Sequence, residues 1–480
     1  MATLGIDLGT SSLKAVIVEG DEIIVRSGRS VPKPGQDSAG RVELDARAYA
    51  DLVREVIQSC IAEVGVIDGV AIVGQTPTMV LADSLLRPVR PALSWMDARA
   101  VTEAAMLSER LGDPIATVGT SLPWAAANLP AKLLWLRRHE ADVLDSARWV
   151  LQLKDYIAAL LTGQPCTDSW SSKGLTRVDR PEPALPVLEV AGLSQDVLPP
   201  VRDPWSTAGE VSRAGSEWSG IAQGTVVGVG WSDALAAMVP LGVFDDEMEF
   251  VATGTSDIVG FSFSGPPLSG GEGLLEVPAA ATGTLTVRYG PTQSSGGSLA
   301  WLASLLGLTV DECLRRVGEI VDWDVPTFLP YLEGERAPIW RHDVAAIFEG
   351  VRGRHDRGAF IRAVLLGVAC SARHVLESGG RSLPTSGMVR LGGGPSRNQH
   401  WSYLRAAVLG RPVEVLAESE LSALGAALLA RAATGCSLRG LATGVLARAT
   451  VVRPSVEDVA AGQVAYEKYS RAVAVALGAG

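Results

Sequence analysis

The chain has 480 residues, of which 47% are hydrophobic and 20% are charged, and it contains 52 glycines. This length exceeds that at which a single hydrophobic core stops growing, so we expect two to four domains and take two as the simplest division. The composition is that of an ordinary globular enzyme and excludes a fibrous repeat or an extended disordered chain. A net charge of -11, with acidic and basic residues interspersed, argues against a nucleic-acid-binding protein.

The cysteines and the apolar runs indicate the cellular compartment. The five cysteines are isolated and include no C-x-x-C pair, so neither a disulfide framework nor a zinc site is indicated, and we expect buried thiols. We find no run of about 18 apolar residues, and the N-terminus has no basic segment followed by an apolar one. We therefore predict a cytoplasmic protein without a membrane partner.

The first half of the chain opens as a meander of strands. Short apolar runs separated by turn residues predict strands at 4–8, 13–19 and 22–26. Helical spacing of apolar residues predicts a helix at 46–63, and a buried strand follows at 70–73. Further helical patterns lie at 99–111, 131–138, 151–161 and 233–239, with a strand at 225–229. The proline-rich stretch 181–204 is expected to be a surface connection.

The second half restarts the same design. Residues 248–263 again predict a strand, a turn and a strand, directly after the acidic run 245–247. Downstream, we predict helices at 358–378, 397–409 and 420–434 and strands at 388–391 and 413–416. Two similar halves of mixed strands and helices predict a duplicated α/β fold. The predicted domains are 1–245 and 246–480.

The tripeptide Gly-Thr-Ser occurs near the start of each half, at residues 9–11 and 254–256. Each copy lies between two short apolar runs, so each predicts a tight turn between strands. Glycine permits backbone angles closed to other residues, and the hydroxyls and N–H groups of such a turn can face an anion such as phosphate. Two such turns indicate a nucleotide held by both halves; the alternative is two ordinary hairpins.

Several short segments carry a more specific signal through their order along the chain. They are GIDLGTS at 5–11, WMDAR at 95–99, KLLW at 132–135, KDY at 154–156, GWSD at 230–233, TGTS at 253–256, PYLEGER at 330–336, GGGPSRN at 392–398 and ALGAA at 423–427. Together they resemble the FGGY family of carbohydrate kinases over almost the whole chain. Within that family, residues 130–135 and 167–169 look most like the xylulokinase branch.

The resemblance implies a fold and a division of labour. The fold is a duplicated ribonuclease H-like (actin-like ATPase) α/β fold, with two domains and a central cleft. The N-terminal domain is expected to bind the sugar and to carry the first phosphate loop and the catalytic aspartate. The C-terminal domain is expected to bind ATP.

Two aspartates are implied to carry the chemistry. Asp233 is expected to be the base that accepts the proton of the sugar hydroxyl, and its place after a strand end and a glycine suits a carboxylate at a cleft mouth. The alternative for Asp233 is the N-cap of its helix. Asp7 is implied to hold Mg²⁺ through bound water, because this ion keeps several waters and takes few carboxylates. The alternative for Asp7 is a surface-facing strand residue.

The nucleotide contacts are implied from both halves. For the ATP phosphates, they are Thr10, Ser11, Ser12, Gly254, Thr255 and Ser256. For adenosine, they are Gly296, Gly297, Gly393, Gly394 and Asn398. The family usually carries an aspartate in the helix after the glycine triplet, whereas this chain has alanine within residues 403–407.

The sugar contacts are where the chain departs most from the family. The implied contacts are Gln75, Thr76, Pro77, Trp95, Asp97, Arg99, Trp231 and Asp233. Xylulokinases typically have Met-His-Gly after the glutamine, and this chain has Thr76-Pro77-Thr78. The histidine ring, which donates and accepts hydrogen bonds, is thus replaced by the ring of Pro77, which does neither. This difference matters because polar contacts discriminate hydroxyl stereochemistry. Trp95 and Trp231 are equally compatible with core packing.

We therefore predict ATP-dependent phosphorylation of a small sugar in a closing cleft that excludes water. The substrate is expected to be a ketopentose such as xylulose, or a related ketose or polyol. A homodimer is left open, since related kinases are often dimers. One alternative is a catalytically impaired, nucleotide-gated sugar-binding or regulatory protein of the same fold. A filament protein is disfavoured by the polar and aromatic residues over 75–99.

Overall fold

The computed structural model describes residues 1–478 except 33, 34, 36, 38, 39, 122, 266–272, 319–321 and 381–386. The chain forms two compact units. The first consists of Met1–Gly242, Val277–Thr284 and Ser422–Val445, and the second of Val243–Glu276, Leu285–Leu421 and Leu446–Gly480. The first unit therefore includes two segments from the second half of the chain. The functions assigned to the two domains stay predictions.

Strands and helices alternate along both units. In chain order, the strands of the described residues are β1 Ala2–Leu8, β2 Ser12–Glu19, β3 Glu22–Ser30, β4 Glu43–Leu44, β5 Gly69–Gly74, β6 Met79–Ala82, β7 Ala92–Leu93, β8 Trp149–Gln152, β9 Thr207–Glu210, β10 Val226–Gly228, β11 Glu249–Thr253, β12 Ile258–Phe263, β13 Leu275–Val277, β14 Thr286–Pro291, β15 Thr327–Leu329, β16 Ile347–Glu349, β17 Val389–Gly393, β18 Val413–Leu416 and β19 Thr450–Val452. The helices are α1 Ala46–Val64, α2 Val101–Leu111, α3 Pro114–Val118, α4 Leu129–His139, α5 Ala141–Ser146, α6 Leu153–Thr162, α7 Leu185–Val190, α8 Arg213–Ser219, α9 Asp233–Met238, α10 Ala279–Thr282, α11 Gly296–Leu306, α12 Val310–Val317, α13 Arg357–Glu377, α14 Gln399–Leu409, α15 Leu421–Ala433, α16 Thr443–Leu446 and α17 Val456–Ala476.

The main sheet of the first unit has the order β3-β2-β1-β5-β10-β9. Its central strand β1 is antiparallel to β2 and parallel to β5, and β5 is parallel to β10. Parallel strands in such a sheet are buried on both faces and read as continuous apolar runs, and every residue of β5 is buried. A smaller sheet, ordered β4-β7-β6-β8, lies in the same unit.

The main sheet of the second unit repeats this design. Its order is β13-β14-β12-β11-β17-β18-β19. The strand β11 is antiparallel to β12 and parallel to β17, which is parallel to β18. Each unit thus has a central strand with an antiparallel hairpin on one side and two parallel strands on the other. This repetition confirms the predicted duplicated α/β fold.

Helix α15 packs closely against β1 and α9 within the first unit. A Cβ atom on Gly5 of β1 would lie 2.0 Å from the Ala423 carbonyl oxygen of α15. A Cβ atom on Gly425 would lie 1.8 Å from the Ala236 carbonyl oxygen of α9. Both distances are far below van der Waals contact, so only glycine fits at either position. The small residues at 423–427 therefore allow one helix to hold β1 and α9 at close range.

Three sequence-based expectations differ from the structure. The predicted helix at 151–161 begins at Leu153, because the residues before it form β8. The predicted connection at 181–204 contains α7, whose Val187 and Leu188 are buried, so its apolar residues fold onto the core. Cys436 is exposed, whereas the other four cysteines are buried as expected.

Helix α13 also differs from the expectation about apolar runs. It is long and apolar enough to cross a membrane, and the bent pair α11 and α12 would qualify only if counted as one span. In α13, 78% of the apolar window is buried inside the protein. This burial makes α13 a core helix of the second unit.

Candidate active site

Three predicted functional segments lie at one edge of the first unit's main sheet. In this sheet, β1, β5 and β10 are neighbours and parallel. Asp7 of β1 pairs in register with Val73 of β5, and Gly74 forms a parallel bridge with Ser232. Adjacent strands are about 4.8 Å apart, so Asp7 and the segments that follow β5 and β10 lie within about 10 Å. Ligands of open α/β sheets bind at this carboxyl edge.

The first predicted phosphate loop, which contains residues 9–11, is tied to two predicted sugar contacts. The loop turns tightly at Gly9, where a Cβ atom would lie 2.6 Å from the Ser12 carbonyl oxygen. The Thr10 hydroxyl donates to Gln75 Oε1 at 3.1 Å and accepts from the Trp95 indole N–H at 3.0 Å. The structure thus brings Thr10, Gln75 and Trp95 together. Ser11 is exposed and Ser12 is half-buried.

Tyr49 of α1 belongs to this group and was missed as a functional residue. Its hydroxyl donates to the Gly9 carbonyl oxygen and accepts from Gln75 Nε2. Burial, followed by the charge of Asp7, raises the pKa of Tyr49 well above its usual range, so the phenol stays a donor. In the sequence, Tyr49 occupies one of the apolar positions of the predicted helix. The one sign of a further role is that its side chain carries a hydroxyl although it lies on the buried face of α1.

Asp233 is the first residue of α9 and is half-buried. The N-cap of α9 is Ser232, whose hydroxyl accepts from the Leu235 N–H at 3.4 Å. The alternative reading of Asp233 as the N-cap is therefore wrong. The Asp233 carboxylate accepts from the adjacent Ala234 N–H at 2.8 Å. The Ser422 hydroxyl of α15 donates to the Asp233 carbonyl oxygen at 3.2 Å, which fixes the backbone at this point.

A buried charge network supports the strand that leads to Asp233. The Lys154 ammonium lies 2.7 Å from Asp155 and 2.9 Å from Asp168, and all three side chains are at most 1% exposed. The same ammonium donates to the Val229 carbonyl oxygen at 3.3 Å. Lys154 therefore joins two carboxylates to the end of β10.

A second buried lysine, Lys173, lies near Asp168 and Asp233. The Lys173 ammonium donates to the Trp170 carbonyl oxygen at 3.3 Å and lies 5.0 Å above the Trp170 ring. Burial lowers the pKa of Lys173 to about 8, while the charges of Asp168 and Asp233 oppose this shift. Lys173 thus places a positive charge near the predicted base, and sequence reasoning did not select it because an isolated lysine gives no pattern.

The segment Thr76-Pro77-Thr78 is held by the framework of the first unit. Thr76 and Pro77 are half-buried, and Thr78 is buried. The Thr78 N–H donates to Gln152 Oε1 at 3.0 Å, and the Thr78 hydroxyl accepts from the Trp95 N–H at 3.3 Å. Thr78 therefore connects the two segments that carry the predicted sugar contacts.

Lys132 of α4 connects the same two segments from behind. Its ammonium, which is fully buried, donates to the carbonyl oxygens of Ser94 at 2.6 Å and Pro77 at 3.2 Å. Burial lowers the pKa of Lys132 to about 7, while the charge of Asp97 opposes this shift. The first residue of the KLLW segment thus holds the backbone at Pro77 and Ser94 together.

Three predicted sugar contacts, Asp97, Arg99 and Trp231, make most of their contacts with other residues of the protein. Asp97 is fully buried and accepts from the Val42 N–H at 2.7 Å and from Arg99 Nε at 2.9 Å. Arg99 also lies 2.6 Å from Glu43. Trp231 is fully buried and packs edge to face with Trp205, whereas Trp95 is 36% exposed. The described geometry thus makes Trp231 a core aromatic and leaves Trp95 at the surface.

The second predicted phosphate loop, residues 253–256, and the glycine triplet at 392–394 meet in the second unit. Thr253 pairs in register with Gly393, whose φ is +105° and whose added Cβ atom would lie 1.9 Å from the Thr253 carbonyl oxygen. The Gly296 N–H donates to the Gly254 carbonyl oxygen at 3.0 Å, and the Gly297 N–H donates to that of Thr255 at 2.9 Å. The predicted residues of the second half, except Asn398, therefore lie around one loop.

Asn398 has a local structural role. Its side-chain oxygen caps α14 by accepting from the Trp401 N–H at 2.8 Å. In the same helix, where the family's aspartate is missing, Arg405 forms a buried ion pair with Asp257 at 2.7 Å. Asp257 directly follows the second loop. The ion pair therefore connects α14 to that loop although the aspartate is missing.

The donor set of the first unit fits a magnesium ion that accompanies ATP. Over the described ranges, no group of three or more His, Cys, Asp or Glu side chains is placed to hold a metal ion. Asp7 supplies one half-buried carboxylate next to the first loop. Mg²⁺ usually binds through one or two carboxylates, several waters and the substrate phosphates. A single aspartate beside a phosphate loop meets this requirement.

Comparisons with known proteins agree with this arrangement. Residues 2–240 match the N-terminal domain of the FGGY family of carbohydrate kinases, and residues 251–434 match its C-terminal domain. The chain is 30% identical to the xylulose kinase of Streptomyces rubiginosus, over 88% of this chain and 86% of that protein. It is 25% identical to that of Bacillus subtilis (strain 168), over 97% and 95%. A solved structure, a xyloylose kinase from Brucella ovis, has a TM-score of 0.86 at 26% identity and covers 100% of both chains.

Proposed function

Since this chain belongs to the FGGY family of carbohydrate kinases, we propose that it transfers the terminal phosphoryl group of ATP to a hydroxyl of a small sugar, with Asp233 as the base. The chain is a carbohydrate kinase of the xylulokinase type. One observation carries the proposal: Asp7 lies near the end of β1, and Gln75 and Asp233 follow the adjacent parallel strands β5 and β10, so all three lie at one sheet edge.

The proposed chemistry uses few groups because phosphoryl transfer depends mainly on positioning and electrostatics. Asp233 accepts the proton of the attacking hydroxyl, which requires a carboxylate within hydrogen-bond reach of that oxygen. Hydroxyls of the two Gly-Thr-Ser loops donate to the phosphate oxygens. Asp7 would hold, through water, the Mg²⁺ that neutralises charge on the phosphates. Closure of the two units on their ligands would keep water from acting as the acceptor.

For adenosine, we keep Gly296, Gly297, Gly393, Gly394 and Asn398 as the proposed contacts. The tight backbone at Gly393 supports this assignment, because a side chain there is excluded. Asn398 would contact the nucleotide only through the part of its amide that does not cap α14.

The proposed substrate is a ketopentose such as xylulose, or a related ketose or polyol. The names of the similar kinases support this class. Gln75 is oriented by Thr10 and Tyr49, and Trp95 presents a partly exposed ring beside it. Pro77 offers no side-chain hydrogen bond, so recognition at that point would rest on shape. Asp97 and Arg99 would act by holding the backbone at 94–99 in place, and Trp231 by packing behind Asp233.

The composition and the buried apolar helix α13 support our proposal of a cytoplasmic enzyme. We propose no oligomeric state beyond the homodimer that related kinases suggest.

The test is a panel of ketoses and polyols with MgATP, using wild type and Asp233→Asn. We expect the variant to lose roughly a hundredfold to ten-thousandfold in kcat, the usual contribution of a general base. The matched control is Asp113→Asn, which alters the N-cap aspartate of α3. Turnover by Asp233→Asn at the wild-type rate would remove Asp233 from the mechanism. Sugar and ATP binding by wild type with no phosphorylated product would instead indicate the binding-only alternative.

A further inference from the structure

We propose that the buried ion pair between Arg405 and Asp257 positions the second phosphate loop, residues 254–256, so that nucleotide affinity depends on it. This inference rests on the proposed function, because it takes that loop as a contact of the ATP phosphates. Neither residue belongs to the predicted site. Arg405 lies in α14 and Asp257 precedes β12.

Arg405 reaches the loop by two routes. Its Nη1 atom lies 2.7 Å from Asp257 Oδ2, and Asp257 follows Ser256 in the chain. Its Nη2 atom donates to the Ser295 hydroxyl at 3.2 Å. The Ser295 N–H in turn donates to the Thr255 carbonyl oxygen at 2.8 Å. A closed ring of contacts therefore runs from the loop through Asp257, Arg405 and Ser295 back to the loop.

A second pair of bonds fixes Asp257 itself. The Asp257 N–H donates to the Thr292 hydroxyl at 3.0 Å, and the Thr292 N–H donates to the Asp257 carbonyl oxygen at 2.9 Å. These bonds join the end of the loop to the residues that precede α11. Because both segments are tied to Arg405, a change in that side chain would shift the loop relative to the start of α11.

The loop conformation that results is suited to an anion. The carbonyl oxygens of Gly254 and Thr255 accept from N–H groups of residues 295–297. A carbonyl oxygen repels phosphate, so its engagement elsewhere favours anion binding, and the N–H groups and hydroxyls of such a turn can then face the ligand. The Thr255 side chain lies at the exposed side of the loop.

Stability alone does not account for this pair. Both side chains are at most 2% exposed, so their charges have lost their hydration. In the described part of the chain, Asp257 Oδ1 and Arg405 Nε have no hydrogen-bond partner. A buried ion pair with unfilled hydrogen bonds is often no more stabilising than an apolar pair of the same size. Positioning of the attached loop therefore explains the pair better than stability does.

The experiment compares nucleotide binding with folding in the full chain. The variants are Arg405→Met, Arg405→Lys and the double variant Arg405→Met/Asp257→Asn. Removing one partner of a buried ion pair strongly destabilises a protein, whereas removing both charges is often tolerated. If Arg405→Met unfolds, the double variant therefore still allows nucleotide binding to be measured. The matched control is Arg288→Met/Glu276→Gln, which removes another ion pair of the second unit, at 2.7 Å and with 5% and 14% exposed side chains.

Binding of MgATP is measured by titration calorimetry, and folding by circular dichroism. We expect the folded double variant to bind MgATP roughly tenfold or more weakly, since small misplacements of binding groups carry large penalties. The lysine variant should recover part of the affinity, and the control should bind as wild type does. Wild-type affinity in the folded double variant would overturn this inference alone. Absence of MgATP binding by wild type would overturn the proposed ATP site as well.

Discussion

Replacing Lys132 by methionine should change how the stability of the first unit depends on pH. The buried side-chain nitrogen of Lys132 donates to the carbonyl oxygens of Ser94 and Pro77, which a neutral amine can also do. Burial lowers the pKa of Lys132 from 10.5 to about 7. Between these two values, the unfolded chain binds a proton that the folded chain does not. Wild-type stability therefore rises with pH across this window, and the methionine variant lacks this contribution.

The opposing contributions can be compared at two pH values. The loss of hydrogen bonds to two buried carbonyl groups costs the variant about 2–6 kcal/mol. Against this, releasing the proton from Lys132 costs folded wild type about 4 kcal/mol at pH 7.5 but only about 1 kcal/mol at pH 9.5. We therefore expect similar stabilities at pH 7.5 and an advantage for wild type of about 3 kcal/mol at pH 9.5.

Thermal unfolding at a series of pH values measures this difference. A change of about 3 kcal/mol corresponds to about 5 °C in a unit as long as the first one, since the entropy of unfolding is about 2.1 cal/mol/K per residue. The control Lys468→Met removes an exposed lysine of α17, and its midpoint should follow that of wild type. Parallel midpoints of wild type and Lys132→Met from pH 7.5 to 9.5 would refute the reasoning.

Two further substitutions test the framework around the site. Gly425→Ala should lower the thermal midpoint of the first unit, because the added Cβ atom would lie 1.8 Å from the Ala236 carbonyl oxygen, whereas Gly353→Ala, with nothing within 4 Å, should not. An unchanged midpoint in Gly425→Ala would contradict the close packing of α15. Tyr49→Phe removes the hydroxyl between Gly9 and Gln75; at about 1 kcal/mol for the lost bonds, the KM for ATP or sugar should rise roughly fivefold. Unaltered KM values for both would show that this hydroxyl does not orient the loop.

Much of the fold followed from local patterns. Alternation between apolar runs and turn residues predicted β1, β2 and β5, and helical spacing predicted α1, α13 and α15 within a few residues of their observed ends. The apolar pattern gave the wrong element where one apolar run is compatible with both a strand and a helix. The residues of β8 pass directly into α6, and the short helix α7 lies in a stretch where prolines indicated only a connection.

The sequence predicted the glycine and hydroxyl residues of the candidate site, but not the residues that hold its loops and segments in place. Turn residues such as Gly9 and Gly254 are visible in a sequence because their neighbours form strands. Tyr49, Lys132 and Arg405 were not selected as functional residues, because each acts on a segment far away in the chain. Their partners are Gly9, Pro77 and Asp257, and nothing in the local sequence of either partner indicates the other.

The sequence by itself determined that two similar α/β halves each carry a Gly-Thr-Ser turn after a strand, and that the ordered segments are those of a carbohydrate kinase family. These properties are local, since strands, turns and motifs depend on residues that are close in the chain. Only the tertiary structure decided which polar side chains meet at those turns. It placed Asp7 on β1 beside the segments that follow β5 and β10 and carry Gln75 and Asp233. It also buried Trp231 while exposing Trp95, and paired Arg405 with Asp257. Burial and pairing depend on contacts between distant segments, and those contacts exist only in the folded chain.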